Sequence, residues 1–75
     1  MNSKIKVLIA DDHPMMRSGV KSVLLTNQKI EIIAEAKDGE EAYGLILKHQ
    51  PDVALLDVEM PKMTGLEIAR RIKLE

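Results

Sequence analysis

Four acidic residues at the ends of two apolar segments are the candidates for chemistry in this sequence. Asp11 and Asp12 follow the segment IKVLIA, whereas Asp57 follows VALL and Glu59 lies two residues further on. Ligands of open parallel sheets bind beyond the carboxyl ends of the strands. If both segments are neighbouring strands of such a sheet, we expect these acids to converge on one edge.

A cluster of carboxylates in a small crevice needs a counterion, because like charges raise one another's pKa. Mg²⁺ prefers oxygen ligands and is typically held by one or two carboxylates together with phosphate oxygens. A carboxylate beside such an ion is also a competent nucleophile for phosphoryl transfer, which yields an aspartyl phosphate. We therefore predict a magnesium site formed by Asp11, Asp12 and Asp57, with Asp57 as the nucleophile.

Each of these acids also has a simpler explanation when it is taken alone. An aspartate after a strand is often only the N-cap of the next helix, and Asp12 before His13 and Pro14 could be one. The prediction therefore depends on three acids at two strand ends. His13 could be a ligand, a general base or a pH sensor, but a single histidine at a helix start is expected to be structural.

The elements that must position these acids follow from the hydrophobic pattern. Three short apolar segments, residues 5–10, 30–36 and 53–58, alternate with helical patterns. This βαβαβα order predicts right-handed crossovers on a parallel sheet. Pro14 suits the first turn of the first helix. The apolar stripes predicted for the three helices are Met16, Val20, Val23 and Leu24; Ala42, Leu45, Ile46 and His49; and Leu66, Ala69 and Ile72.

Two capping patterns mark where the second and third helices begin. Asp38 is followed three residues later by Glu41, and Thr64 by Glu67. In such a capping box the first side chain accepts from the N–H of the third residue, whose own side chain reaches back to the N–H of the cap.

Composition excludes several classes of function. The 75 residues suffice for one small domain, and a formal net charge of −1 argues against binding to a polyanion. With Tyr43 as the one aromatic residue and no cysteine, base stacking and thiolate metal sites are also excluded. The sequence contains neither a signal peptide nor an apolar segment of the ~18 residues that a membrane span requires. We expect a cytoplasmic protein that contacts neither membrane nor nucleic acid directly.

Three longer motifs extend the argument beyond the acids. The segments KVLIADDHPMMRSGV, DGEEA and PDVALLDVEMPKMTGLE together resemble the receiver domain of two-component response regulators, and the D-D-H-P start is most similar to the NarL/FixJ type. The resemblance covers essentially the whole chain. It implies a flavodoxin-like (CheY-like) three-layer α/β fold, a partial (βα)3 with strand order 2-1-3.

The resemblance also implies a role for each acid. Asp57 would accept a phosphoryl group from the phosphohistidine of a sensor histidine kinase. Asp12 would ligate Mg²⁺ directly, Asp11 would act through water, and Glu59 would offer its backbone carbonyl. Pro61 and Gly65 would shape the adjoining loop. In its full-length form, such a regulator would control transcription.

The sequence departs from the family pattern in its extent, because it contains three of the family's five βα units. The fourth strand, which carries a serine or threonine, and the fifth, which carries a lysine, have no counterpart. Lys62 and Lys73 match neither position. We therefore expect residues 1–75 to be the N-terminal part of a receiver domain, truncated and without an output domain. It would associate with itself through the edge of the third strand, since an apolar edge is a template for pairing.

Two alternatives remain open from the sequence. The chain could be a receiver fragment that folds by self-association but is inactive. It could also be a Mg²⁺-dependent phosphohydrolase of the haloacid dehalogenase type, although the D-x-D-x-T motif of those enzymes is not matched because Glu59 and Pro61 occupy its third and fifth positions. Our prediction is a signalling module that is not an enzyme.

Overall fold

Strands and helices alternate strictly along the chain, as predicted. The computed structural model describes residues 4–57 and 62–74. The elements are β1 (Ile5–Ala10), α1 (Pro14–Leu24), β2 (Ile30–Ala36), α2 (Gly39–His49), β3 (Val53–Leu56) and α3 (Gly65–Leu74).

The three strands form one parallel sheet in the order β2-β1-β3, which confirms the flavodoxin-like arrangement. Ala10 at the end of β1 pairs with Ala36 of β2 on one side and with Leu56 of β3 on the other. β1 is central and carries four consecutive buried residues, from Val7 to Ala10. This burial on both faces explains why residues 7–10 are continuously apolar. The register places the residues that follow β1 and β3 next to each other.

The main core lies on the side of the sheet that α2 and α3 cover. Leu8 and Ile68 are fully buried there, and Met63 packs beside them from the residues just before α3. The buried members of this core are Leu8, Ala10, Ala36, Ala42, Ile46, Met63 and Ile68. The predicted stripe of α2 is confirmed at Ala42 and Ile46. These contacts hold α3, and with it the residues after β3, against the sheet.

The predicted apolar stripe of α3 is confirmed at Ile72, which packs against the core, but is wrong at its other two residues. Leu66 is 59% exposed and Ala69 is also exposed, whereas Ile68, outside the predicted stripe, is fully buried. Both patterns have helical spacing, so periodicity does not choose between them. The packing of α3 against α2 and the sheet decides the choice.

Helix α1 is poorly covered by the other described residues. No residue of α1 is buried, and Met16 and Val23 of its predicted apolar stripe are 62% and 70% exposed. An open apolar groove of about 350 Å³ follows this stripe, lined by Met15, Met16, Gly19, Val20, Val23 and Leu24. The stripe exists as predicted, but the described residues do not bury it. Among the described residues, no helix is both long and apolar enough to span a membrane.

Both predicted capping patterns are present, with one difference. Asp38 accepts a hydrogen bond from the N–H of Glu41 at 2.8 Å, but the Glu41 carboxylate accepts from the N–H of Lys37 at 3.0 Å rather than from that of Asp38. At α3, Thr64 and Glu67 form the reciprocal pair. The caps fix where α2 and α3 begin, next to the carboxyl edge of the sheet.

The cap of α2 makes stability depend on pH. The hydrogen bond from the Glu41 N–H holds the pKa of Asp38 below its ordinary 3.8. A carboxyl with a lowered folded-state pKa stabilises the fold fully above the unfolded value and loses this contribution as pH falls through the folded value. We expect Asp38→Asn, which keeps an accepting oxygen, to flatten the loss of stability below pH 3.8.

Urea unfolding followed by circular dichroism, at neutral pH and at successive acid pH values, measures this effect. Glu40→Gln removes one charge from the same turn and is the matched control. If the stability of Asp38→Asn and that of the unsubstituted protein fall equally at acid pH, Asp38 is not the source of this pH dependence.

Candidate functional site

The acids meet at the carboxyl edge of the sheet because hydrogen bonding between the strands continues past their ends. The N–H of Asp11 donates to the carbonyl of Ala36 at 3.1 Å, and the N–H of Asp57 donates to the carbonyl of Ala10 at 3.0 Å. Both aspartates therefore extend from the sheet backbone, which fixes where their side chains start.

Four side chains lie together at this edge. Asp11, Asp12, His13 and Asp57 can each offer one ligand atom, and these atoms all lie within 4.8 Å of one another. The three carboxylates are partly buried, with side-chain exposures of 16%, 30% and 28%. The predicted meeting of the Asp11–Asp12 pair with Asp57 is thus present. Glu59 and Pro61 lie outside the described residues.

Gly65 allows α3 to begin close to this cluster. A Cβ at Gly65 would lie 2.6 Å from the carbonyl oxygen of Asp57 and 3.2 Å from the Cβ of Leu56. Any side chain at Gly65 would therefore push α3 away from the end of β3. The absence of a side chain at Gly65 thus lets α3 begin beside the backbone of Asp57, whereas the role in shaping the loop that the resemblance implied for it stays a prediction.

The side chain of Asp11 organises the turn after β1. Its Oδ1 accepts the backbone N–H of His13 at 2.8 Å and lies 3.0 Å from Nδ1 of the same residue. The hydrogen bond from the His13 N–H lowers the pKa of Asp11 below its ordinary 3.8, although burial opposes the shift. Asp11 is therefore a carboxylate at neutral pH and suits a cation.

His13 also lies in the cluster, although the sequence favoured a structural role for it. It is the N-cap residue of α1 but makes no side-chain capping bond, so its ring turns towards the acids. Nδ1 lies 2.9 Å from Oδ1 of Asp12 and 3.9 Å from Oδ2 of Asp57. The hydrogen bond to Asp11 and the charge of Asp12 raise the pKa of His13 above 6.5. Its position directly after two aspartates was the signal that could have found it.

Asp12 shows that the cluster suits a metal ion. Its Oδ1 is buried and makes no hydrogen bond to the described residues, although His13 Nδ1 lies 2.9 Å away and forms an ion pair with it when the ring is protonated. Burying a carboxylate oxygen without a hydrogen bond is costly. Coordination to a cation would remove that cost, and carboxylate oxygens are the ligands that Mg²⁺ prefers. The residues present therefore fit Mg²⁺.

Lys62 is directed towards a different acid. Its Nζ lies 3.7 Å from Oδ2 of Asp38 at the start of α2. Beside it, Gly39 is in close contact with the backbone of Met63. These contacts attach the residues before α3 to the N-terminus of α2.

With this geometry established, comparison with known proteins identifies the family. The family model described as the response regulator receiver domain matches residues 7–75. This chain belongs to the response regulator receiver domain family. The resemblance drawn from the D-D-H-P, D-G-E-E-A and L-L-D-V-E-M-P motifs is confirmed.

Two similar proteins show how this receiver sequence occurs in longer chains. The transcriptional regulatory protein DegU of Brevibacillus brevis is 44% identical over 91% of this chain, which spans 29% of that protein. The solved receiver domain of the putative response regulator NarL from Mycobacterium tuberculosis superposes with a TM-score of 0.94 at 42% identity, covering 96% of this chain and 58% of that one. The chain thus spans less than two thirds of each.

A third similar protein corrects one prediction. The protein-glutamate methylesterase/protein-glutamine glutaminase of Methanococcus maripaludis is 47% identical over 93% of this chain, which spans 19% of that protein. Its name is that of an enzyme, so the prediction that the protein is not an enzyme is wrong: receiver sequences of this kind also lie within enzymes. The motifs of a receiver domain do not reveal what it is joined to.

Proposed function

We propose that this receiver domain is the phosphoacceptor module of a two-component phosphorelay, with Asp57 taking a phosphoryl group from a sensor histidine kinase. The observation that carries the proposal is the convergence of Asp57 with Asp11 and Asp12 around a buried Asp12 oxygen that makes no hydrogen bond. Residues 1–75 are the N-terminal part of the receiver in this proposal.

Asp11, Asp12 and Asp57 would hold Mg²⁺, together with the backbone carbonyl of Glu59. When bound, Mg²⁺ would offset most of the negative charge of the carboxylates and would polarise a phosphoryl oxygen. Two observations support Asp57 as the nucleophile: its backbone N–H is bonded to the carbonyl of Ala10, and its side chain is 28% exposed. A donor can therefore reach it from solvent.

The proposed step transfers the phosphoryl group from a histidine nitrogen of the kinase to a carboxylate oxygen of Asp57. An Oδ of Asp57 attacks the phosphorus, a P–O bond forms, and the P–N bond of the phosphohistidine breaks. The electron pair of that bond stays on the imidazole nitrogen of the kinase, which takes up a proton. The product is an acyl phosphate on Asp57, which controls transcription when the receiver is joined to a suitable output domain.

Incubation of the chain with acetyl phosphate, with Mg²⁺ or with a chelator, tests the proposal by intact mass. We expect a gain of one phosphoryl mass that requires Mg²⁺ and is lost in Asp12→Asn. No gain under any condition would overturn the proposal and favour the inactive fragment. Continuous release of phosphate without a covalent adduct would favour the phosphohydrolase.

We further propose that the chain associates with itself through β3. This strand lies at one end of the described sheet, and Val53 and Leu55, which share one face of the strand, are 42% and 40% exposed. Apolar edge strands pair with other chains unless charged residues or a covering element prevent it.

The cytoplasmic location expected from the sequence stays a prediction.

Sedimentation velocity over a concentration series measures this association. We expect concentration-dependent dimers that Leu55→Lys weakens, because a charge on an edge strand opposes pairing. Leu47→Lys on α2, where the leucine is 46% exposed, is the matched control. A single monomeric species at all concentrations would contradict self-association.

A further inference from the structure

Arg17 makes a contact with the acid cluster that the phosphoacceptor chemistry does not use. Its Nη1 donates a hydrogen bond of 2.7 Å to the backbone carbonyl of Asp11. That carbonyl belongs to the peptide unit joining Asp11 to Asp12. A peptide unit is planar, so fixing its oxygen fixes its orientation and the position from which the Asp12 side chain starts.

A second set of contacts holds the Arg17 guanidinium in place. Nε lies 3.4 Å from Oε1 of Glu35 on β2, and the other oxygen of Glu35 accepts a 2.9 Å hydrogen bond from Lys21 Nζ. The Arg17 and Glu35 side chains are 21% and 35% exposed. Ion pairs this exposed contribute at most about 1 kcal/mol to stability. Orientation, rather than stability, is the larger consequence of this arrangement.

The turn after β1 is thereby restrained at three atoms of one residue. The N–H of Asp11 is bonded to Ala36, its Oδ1 accepts from the N–H of His13, and its carbonyl accepts from Arg17. The Arg17 bond is the restraint that acts on the peptide leading into Asp12. Without it, the orientation of this peptide depends on the sheet bond of Asp11 and on the bond from the His13 N–H to Asp11 Oδ1, which spans the peptide but does not contact its oxygen.

We infer that Arg17, clamped by Glu35, is a positioning residue that orients the Asp11–Asp12 peptide and so presets the Asp12 carboxylate for a divalent cation. The inference rests on the proposed function. The guanidinium is planar with donors on several sides, so one side can face the carbonyl while Nε faces Glu35. A lysine, with one ammonium group, does not reproduce this fork.

The charge of Arg17 and its positioning role predict opposite changes in cation affinity when Arg17 is replaced, so an affinity measurement separates the two effects. Removing a positive charge near an anionic cluster strengthens cation binding through Coulomb's law. Losing a positioning residue weakens it, and groups that orient metal ligands typically cost about 10–100-fold in affinity when replaced. Weaker binding in Arg17→Gln therefore reports orientation and not charge.

Titration with Mn²⁺, followed by electron paramagnetic resonance of the free ion, tests the inference. We expect Arg17→Gln to bind Mn²⁺ about tenfold more weakly. Arg17→Lys, which keeps the charge, is expected to fall between Arg17→Gln and the unsubstituted protein. Lys21→Gln removes a charge from the same ion-pair network without touching Asp11, and its affinity is expected to be unchanged or slightly higher.

Amide hydrogen exchange without metal supplies a second readout. The N–H groups of Asp12 and His13 are expected to exchange faster in Arg17→Gln but not in Lys21→Gln, whereas the N–H of Leu8 stays protected in both. Unchanged affinity and exchange in Arg17→Gln would overturn the inference, as would equal weakening in Lys21→Gln.

If the proposed function itself is wrong, these measurements give a different result. If the unsubstituted protein does not bind Mn²⁺, the magnesium site is overturned, and exchange at Asp12 and His13 still decides whether Arg17 orients the turn. If Arg17→Gln lacks a cooperative unfolding transition, Arg17→Lys is judged by the same two measurements.

Discussion

The Asp57→Asn variant is expected to gain no phosphoryl mass from acetyl phosphate under conditions that modify the unsubstituted protein. An amide oxygen is a far weaker nucleophile than a carboxylate, and the substitution also removes one charge from the cluster that would hold Mg²⁺. The bond from its N–H to the carbonyl of Ala10 is unaffected, because it belongs to the backbone. Phosphorylation should therefore be lost completely while the variant stays folded.

A matched control lies at the other end of the same strand. Asp52 precedes β3 and accepts a 2.8 Å hydrogen bond from the N–H of Lys6, which an asparagine oxygen can also accept. Asp52→Asn makes the same chemical change far from the cluster, so it should be phosphorylated normally. Adduct formation in Asp57→Asn would show that another residue is modified and would remove Asp57 from its proposed role.

Leu8→Ala is expected to cause the largest loss of stability from a single substitution in the core. Leu8 is fully buried at the centre of β1, where both α2 and α3 meet the sheet. Truncating a buried leucine to alanine typically costs about 2–5 kcal/mol, because transfer energy is lost and a cavity remains. A domain of this size has a free energy of unfolding of only about 4–11 kcal/mol.

Urea unfolding followed by far-ultraviolet circular dichroism measures this loss. Leu47→Ala on α2, where the leucine is 46% exposed, is the control and should change the unfolding midpoint little. If Leu8→Ala does not fold at all, Leu8→Val provides a milder truncation at the same position. Equal midpoints for the Leu8 and Leu47 variants would contradict the assignment of the core.

Much of the functional site was predictable because its acidic residues directly follow two strands in the sequence. Asp11 and Asp12 follow β1 and Asp57 follows β3, and parallel strands present their carboxyl ends at the same edge. The order of elements was predictable for a similar reason, since a continuous apolar segment and a helical stripe have different periods. Capping at Asp38 and Thr64 depends on residues three apart, which a sequence displays directly.

Other features depended on contacts between residues distant in sequence. The buried face of α3 could not be chosen between Leu66 and Ile68, because both lie on apolar stripes of helical spacing. His13 lies in the acid cluster because its ring makes no capping bond to α1 and instead approaches Asp12. Gly65 was expected beside the site, but its close approach to the Asp57 carbonyl is a packing distance and has no signature in the sequence.

The sequence by itself determined the order of the elements, the family and the acids that end β1 and β3, because these depend on residue type and short spacing. The tertiary structure alone decided that Arg17 reaches back to the carbonyl of Asp11 while Glu35 of β2 holds it. It also decided that one oxygen of Asp12 is buried without a hydrogen bond. Orientation and burial arise only when separate segments pack together, so local spacing cannot encode them.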